Sequence, residues 1–275
     1  MRLSGLLGLL LVMAAVSGPA RATETCRPMP GAEVIWRSEV RYVLVGELHG
    51  TAEAPAAFAD LICAAVATGR PVIVALEQTV DGQAALDAYL ASDGGAVEEM
   101  KVMEALYWQS PMRDGRSSVA SLALFRDLRR LRVSGRIEGV QAILDRGDGT
   151  PASHEAKMAQ RLLAVGARRP DAVVIGLMGN LHAMKGSWTA RDGLAYRLAG
   201  DLLPAGETVS LNIVHAGGSA WFCSQGGCMA RALRAPSDAR PRGVHLSRDV
   251  PGFDGVLSIG PITASPPALP LDPAS

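Results

Sequence analysis

The chain reads as an α/β protein with a mostly parallel central sheet, flanking helices and a helical insert after the second strand. Three observations predict this. Short apolar runs at residues 42–46, 72–76, 136–144 and 172–178 alternate with stretches of helical periodicity. The first run is followed by apolar residues at helical spacing (Phe58, Leu61, Ile62, Ala65), then by the stop Gly69-Arg70-Pro71 and a second run. That order is a β-α-β unit, whose strands must be parallel. Finally, each run ends in polar or ionisable residues, as strand ends facing a common rim do in open α/β sheets.

Residues 1–22 stand apart from this pattern. A basic start (Met1-Arg2) precedes an apolar run, then Ser17-Gly18-Pro19 and the small-x-small sequence Ala20-Arg21-Ala22. This is the form of a cleaved secretory signal peptide. The run is shorter than the roughly 20 residues that a membrane span needs. Cys26 lies beyond the expected cut and has no lipobox before it. The expectation is an exported protein, periplasmic or secreted, with no stable membrane anchor after cleavage. Cleavage removes two of the 27 basic residues (Arg2, Arg21) and none of the 27 acidic ones, so the remaining chain has a net charge of −2. A chain without basic excess carries no electrostatic footprint for nucleic acid. Roughly 250 residues remain, enough for a sizeable core. We read residues 23–262 as a single domain and residues 263–275, rich in Pro, as a disordered tail.

Along the chain, residues 55–68 read as the first helix. Residues 81–133 are helical in pattern, broken at Asp93-Gly94-Gly95 and Ser110-Pro111. The strand at 136–144 leads to a loop, Asp145-Arg146-Gly147-Asp148-Gly149, and then to a helix from Ser153 to about Arg168. Residues 208–214, 220–223 and 255–259 are later strand candidates, the second antiparallel.

The four cysteines are an even number in an exported chain, as a disulfide framework requires. Three pairings exist. Cys223–Cys228 with Cys26–Cys63 is favoured, because Ser-Gln-Gly-Gly between the first two can turn back on itself. Zinc at Cys223 and Cys228 is the rival, but no further ligands stand nearby in the sequence.

Candidate chemistry collects at the strand ends: Glu47 and His49 after the first, Glu77 after the second, Asp145 after the third, Asn180 and His182 after the fourth. Taken singly, each has an ordinary role. Glu47 or Glu77 could cap a helix, His49 could be a satisfied loop histidine, and Asp145 could form a turn. Together they converge on one rim of a parallel sheet. Trp108 and Arg116, from the segment between the helices, are further candidates, Arg116 as the partner of Glu77 or Glu47.

Gly46-Glu47-Leu48-His49-Gly50, Leu76-Glu77-Gln78, Asp114-Gly115-Arg116 and Gly179-Asn180-Leu181-His182-Ala183, in this order, resemble the superfamily of erythromycin esterases, ChaN haem-uptake proteins and TraB/Tiki proteins. The resemblance spans about residues 40–185. It implies an α/β scaffold with a polar site at the strand ends. Esterase-like members would make His49 a general base, Glu47 its orienting partner, and His182 and Arg116 the groups that polarise a carbonyl. Asn180, Asp145 and Trp108 would then meet the substrate, a small molecule or a peptide. Tiki-like members would make His49, Glu47 and His182 ligands of a divalent metal. ChaN-like members bind haem, with Tyr89, Tyr107 or a histidine as the iron ligand. The chain has no His-Glu-x-x-His and no Gly-x-Ser-x-Gly, which leaves a zincin or a serine hydrolase without support.

Overall fold

The computed structural model describes residues 26–270, apart from 106, 110–113, 191–192, 225–226 and 238. The expected signal peptide, the Ser110-Pro111 break and the last five residues lie outside the described residues. Along the chain run β1 (Tyr42–Glu47), α1 (Glu53–Val66), β2 (Val72–Thr79), α2 (Gln83–Ala91), α3 (Ala96–Ala105), α4 (Val119–Val133), β3 (Gly139–Leu144), α5 (Pro151–Arg168), β4 (Val173–Gly179) and α6 (Asn180–Ala183). There follow β5 (Ser187–Thr189), β6 (Ala195–Arg197), α7 (Ala199–Leu202), β7 (Thr208–Val214), β8 (Gly218–Ser224), β9 (Gly227–Leu233), β10 (Gly243–Leu246) and β11 (Gly255–Ser258).

Seven strands form one sheet in the order β10-β11-β7-β1-β4-β2-β3. All neighbours are parallel except β10 with β11. The expected fold class is therefore the observed one, with α2–α4 as the helical insert after β2. Side chains alternate across the sheet, as a strand dictates. Val43 and Val45 pack with Phe58, Leu61 and Leu128 beneath α1 and α4, whereas Tyr42 and Leu44 pack with Met158, Leu162 and Val165 of α5. Both faces of β1 are covered, so all six of its residues are buried.

β3 begins three residues later than the apolar pattern implies. Gly135 takes a positive φ of 70°, and the Arg136 amide donates to the Leu131 carbonyl at 2.8 Å. This ends α4 in a Schellman turn and spends Arg136 on the helix. β2 runs on to Thr79, with a register irregularity between Leu76 and Thr79. Such bulges re-aim side chains, and Glu77 sits inside this one.

Both favoured disulfides are formed. Cys26–Cys63 ties the start of the described chain to α1, and Cys223–Cys228 closes the antiparallel β8–β9 hairpin. Among the described residues no helix is long and apolar enough to cross a membrane.

The expectation of a disordered tail fails for residues 263–268. The Ala52 amide donates to the Thr263 carbonyl at 2.8 Å, and the Ser265 amide to the Gly50 carbonyl at 2.9 Å. The Val119 amide donates to the Pro266 carbonyl and the Ala268 amide to the Ser117 carbonyl, both at 2.9 Å, while the Ala120 amide donates to Ser265 Oγ at 2.9 Å. Composition suggested disorder, but prolines suit an extended strap whose bonds go to other segments. Net hydrogen-bond contributions are about 0.5–1.5 kcal/mol each. A chain ending at Ile262 should therefore melt several degrees lower, as the loops bearing His49 and Arg116 loosen. An unchanged melting temperature in calorimetry would show that the strap holds nothing.

Candidate functional site

Backbone packing comes first, and glycines make it possible. At Gly46 an added Cβ would stand 2.8 Å from the Asn180 Cα, so only glycine lets the end of β1 touch α6. Gly50 has φ 91°, and its carbonyl accepts from the Trp221 and Ser265 amides. A Cβ on Gly115 would fall 1.7 Å from the Gly50 nitrogen. The β1 loop and the Asp114-Gly115-Arg116 turn are thus in direct backbone contact. At Gly179 a Cβ would lie 3.1 Å from His49 Nε2.

Glu77 is the centre of what this packing assembles. Its side chain is 3% exposed. One carboxylate oxygen, Oε1, accepts from Arg116 Nη1, and the other, Oε2, accepts from the Gly179 amide at 2.6 Å. His49 Nε2 stands 3.5 Å from Oε2, and His182 Nε2 stands 3.8 Å from Oε1. Each imidazole is held from behind by its own carboxylate. His49 Nδ1 lies 3.0 Å from Glu47 Oε1, and His182 Nδ1 lies 2.6 Å from Glu155 Oε1. Glu155 Oε2 accepts in turn from the Ala199 amide at 2.9 Å. Arg116 is fixed by Asp114, whose carboxylate takes its Nε at 3.1 Å, and its own carbonyl accepts from Gln78 Nε2 at 3.1 Å.

The charges reinforce one another. Burial pulls the His49 imidazolium down, but Glu77 and Glu47 outweigh it and raise its pKa to about 10. Burial acts to raise Glu77, yet His49, Arg116 and His182 hold its carboxyl well below the usual range. His182 is also raised: burial opposes the charge, but Glu155 and Glu77 prevail. His154 goes the other way, lowered by burial and by the neighbouring His182. Its ring stacks on that of His182, with centroids 5.2 Å apart and planes 4° from parallel.

The structure therefore brings together Glu47, His49, Glu77, Arg116 and His182. Asn180 is exposed at the same rim. Asp145 does not join them. Its carboxylate turns to Arg161 Nη2 at 2.8 Å and to the Gly147 amide at 3.0 Å, a loop-forming role. Trp108 is also excluded from any substrate surface, being fully buried edge-on against Phe125 with ring centroids 5.5 Å apart. Trp108 belongs to the apolar core that the helical insert shares with β1 and α1.

Three residues beside the site were missed: Arg146, His154 and Glu155. For Glu155 a signal existed. It shares a helical face with Met158, Ala159 and Leu162, all buried, and a carboxylate on a buried face implies a partner. Arg146 follows the acid that was chosen, and it faces the site where Asp145 does not. With Arg116, Leu144, Gly149, His154 and His182 it lines a cavity of about 410 Å³.

Among the described residues no three of His, Cys, Asp and Glu are grouped to hold a metal ion. Both Nδ1 atoms are engaged by carboxylates, as the outer nitrogens of ligand histidines also are, but the Arg116 guanidinium bonds Glu77 Oε1 and puts a fixed positive charge on the carboxylate that both Nε2 atoms face. This donor set does not fit a divalent cation. Tyr89 does not fit a haem iron either, since it is 1% exposed and its hydroxyl lies 3.5 Å from Glu99 Oε1. The side chain of Tyr107 lies outside the described residues.

Three solved structures were compared over most of their lengths. A histidine-to-asparagine mutant of the erythromycin esterase EreC, in its open conformation, superposes with a TM-score of 0.59 at 15% identity, covering 85% of this chain and 93% of that one. The chain has the erythromycin-esterase fold. A succinoglycan biosynthesis protein gives a TM-score of 0.60 at 12% identity, covering 83% and 89%, and a protein from Bacillus cereus 0.51 at 11%, covering 84% and 91%. At such identities the likeness establishes the fold alone, and at that level it agrees with the resemblance carried by the motifs. No protein-family model matches the chain, and no curated protein matches it.

Proposed function

We propose that this protein is an exported hydrolase that activates water against an ester or amide at the Glu77 cluster. One observation carries the reading. Two imidazoles have their Nδ1 atoms held by separate carboxylates and turn their Nε2 atoms toward the same buried Glu77. A carboxylate on Nδ1 fixes the tautomer and leaves Nε2 as the working nitrogen. Arg116 and His182 both line the cavity, so a carbonyl lying there meets a guanidinium and an imidazole whose N–H groups stabilise negative charge as it forms. His49, across Glu77, takes the proton of the attacking water through its neutral form and returns it to the leaving group. Glu77 holds Arg116 and both imidazoles in register and does not itself react. Export is supported by the leader sequence and by the two disulfides.

The test is a panel of small-molecule esters and peptide amides, assayed with the mature chain in the presence and absence of a chelator. Turnover should resist chelation, and His182→Ala should reduce kcat by about 10²–10⁴-fold, the usual worth of an acid-base or oxyanion group. Turnover abolished by the chelator and restored by metal would instead make the histidines ligands. A Soret band in protein purified from haem-supplied cells, with no turnover on the panel, would replace the reading by haem uptake.

A further inference from the structure

The proposed hydrolase site says nothing yet about which substrates it prefers, but the 410 Å³ cavity beside it does. Among the described residues no carboxylate lines it. Asp145 and Asp148, in the same loop as Arg146, are turned to local partners: Asp145 to Arg161, and Asp148 to the Thr150 amide at 2.9 Å and its hydroxyl at 2.8 Å. The Arg146 guanidinium makes no hydrogen bond or ion pair among the described residues; only its backbone carbonyl accepts, from the Gly149 amide at 2.9 Å. His154 Nε2 is buried and likewise has no hydrogen-bond partner among them. A buried ring nitrogen without a partner costs free energy unless something fills the role. His154 lies in the first turn of α5 and Gly149 just before its Thr150 cap, so the positive end of this 18-residue helix lies beside the same space. The loop thus spends its acids internally and presents its arginine to the cavity.

We propose that this cavity binds an anionic group of the substrate, a carboxylate or a phosphate, through the Arg146 guanidinium, with His154 Nε2 as a hydrogen-bond partner. The scissile carbonyl then lies against Arg116 and His182 at the inner end. Guanidinium groups match both anions with paired N–H donors. The binding step stands on the cavity, and its link to catalysis rests on the hydrolase reading.

Two measurements on the mature chain test the proposal. In calorimetric titration, inorganic phosphate and glutarate are added separately, which tells the two anion classes apart. Saturable binding of at least one is expected, weakened tenfold or more by Arg146→Gln and less by Arg146→Lys, which keeps the charge but loses the paired donors. Arg146 is exposed, so both variants should fold, and circular dichroism checks this. No saturable binding, or binding that Arg146→Gln leaves unchanged, would overturn the site. In the second measurement, a nitrophenyl ester with a terminal carboxylate on its acyl chain is compared with its neutral counterpart. The anionic ester should show the higher kcat/KM by about tenfold, and Arg146→Gln should collapse that ratio. Equal kcat/KM for the two esters would also overturn the proposal while leaving the hydrolase reading intact. Arg146-dependent anion binding with no hydrolysis of either ester would do the reverse.

Discussion

Glu77→Gln should cost both activity and stability, and by large amounts. The carboxylate is 3% exposed and bonds a guanidinium, a backbone amide and, at longer range, two imidazoles. Removing its charge leaves a guanidinium and two imidazoles facing a neutral amide. Breaking one partner out of a buried charge cluster typically costs about 3–5 kcal/mol. Part of this is retained here, because Asp114 still holds Arg116 and Gln can still accept from the Gly179 amide. We expect a loss of about 3 kcal/mol in urea unfolding. Activity should fall by about 10²–10³-fold, the scale of losing a preorganised electrostatic group, and the loss should appear in kcat, since Arg116 then drifts from the carbonyl. A variant within about 0.5 kcal/mol of the parent and within threefold of its kcat/KM would remove Glu77 from the centre of the site.

His49→Ala should abolish turnover and change the pH dependence of stability. The folded-state pKa of His49 is raised from an ordinary 6.5 to about 10. A raised pKa means that the folded state holds the proton more tightly than the unfolded one. This contribution is complete below about pH 6.5 and is lost as pH rises toward 10. Glu77, held low, contributes in the opposite sense: its share is present above the ordinary carboxylate range and lost on acidification. The parent should therefore lose stability progressively between pH 6.5 and 10, and His49→Ala should flatten much of that slope. The catalytic arm agrees in sign. Only neutral His49 accepts a proton, so kcat/KM of the parent should climb toward the alkaline side. A rate that is flat from pH 6 to 10, with His49→Ala still turning over, would eliminate it as the base.

Much of this was legible in the residues. The β-α-β rhythm of apolar runs determined the class of sheet and which ends of its strands share a rim, because a parallel sheet leaves no other arrangement for such runs. Glu47, His49, Glu77 and His182 could be named for the same reason, Arg116 as the partner such a buried carboxylate would take, and Cys223–Cys228 followed from the short loop between the two cysteines. What the sequence could not determine was direction. Asp145 and Arg146 are adjacent at the end of β3, and only the path of the loop decides that the acid turns to Arg161 while the base faces the cavity. Trp108 looked like a binding residue until the helical insert was seen to need it as core. Glu155 lies 108 residues from Glu47 in the chain, yet it is its counterpart behind the second histidine, a relation created only when α5 crosses the sheet. The strap at 263–268 reads as disordered because its backbone partners, at Gly50, Ala52 and residues 117–120, are far away in sequence. Local periodicity and spacing act along the chain and so are written in it. Side-chain direction and long-range backbone pairing are settled by packing between segments, and only the folded molecule brings those segments together.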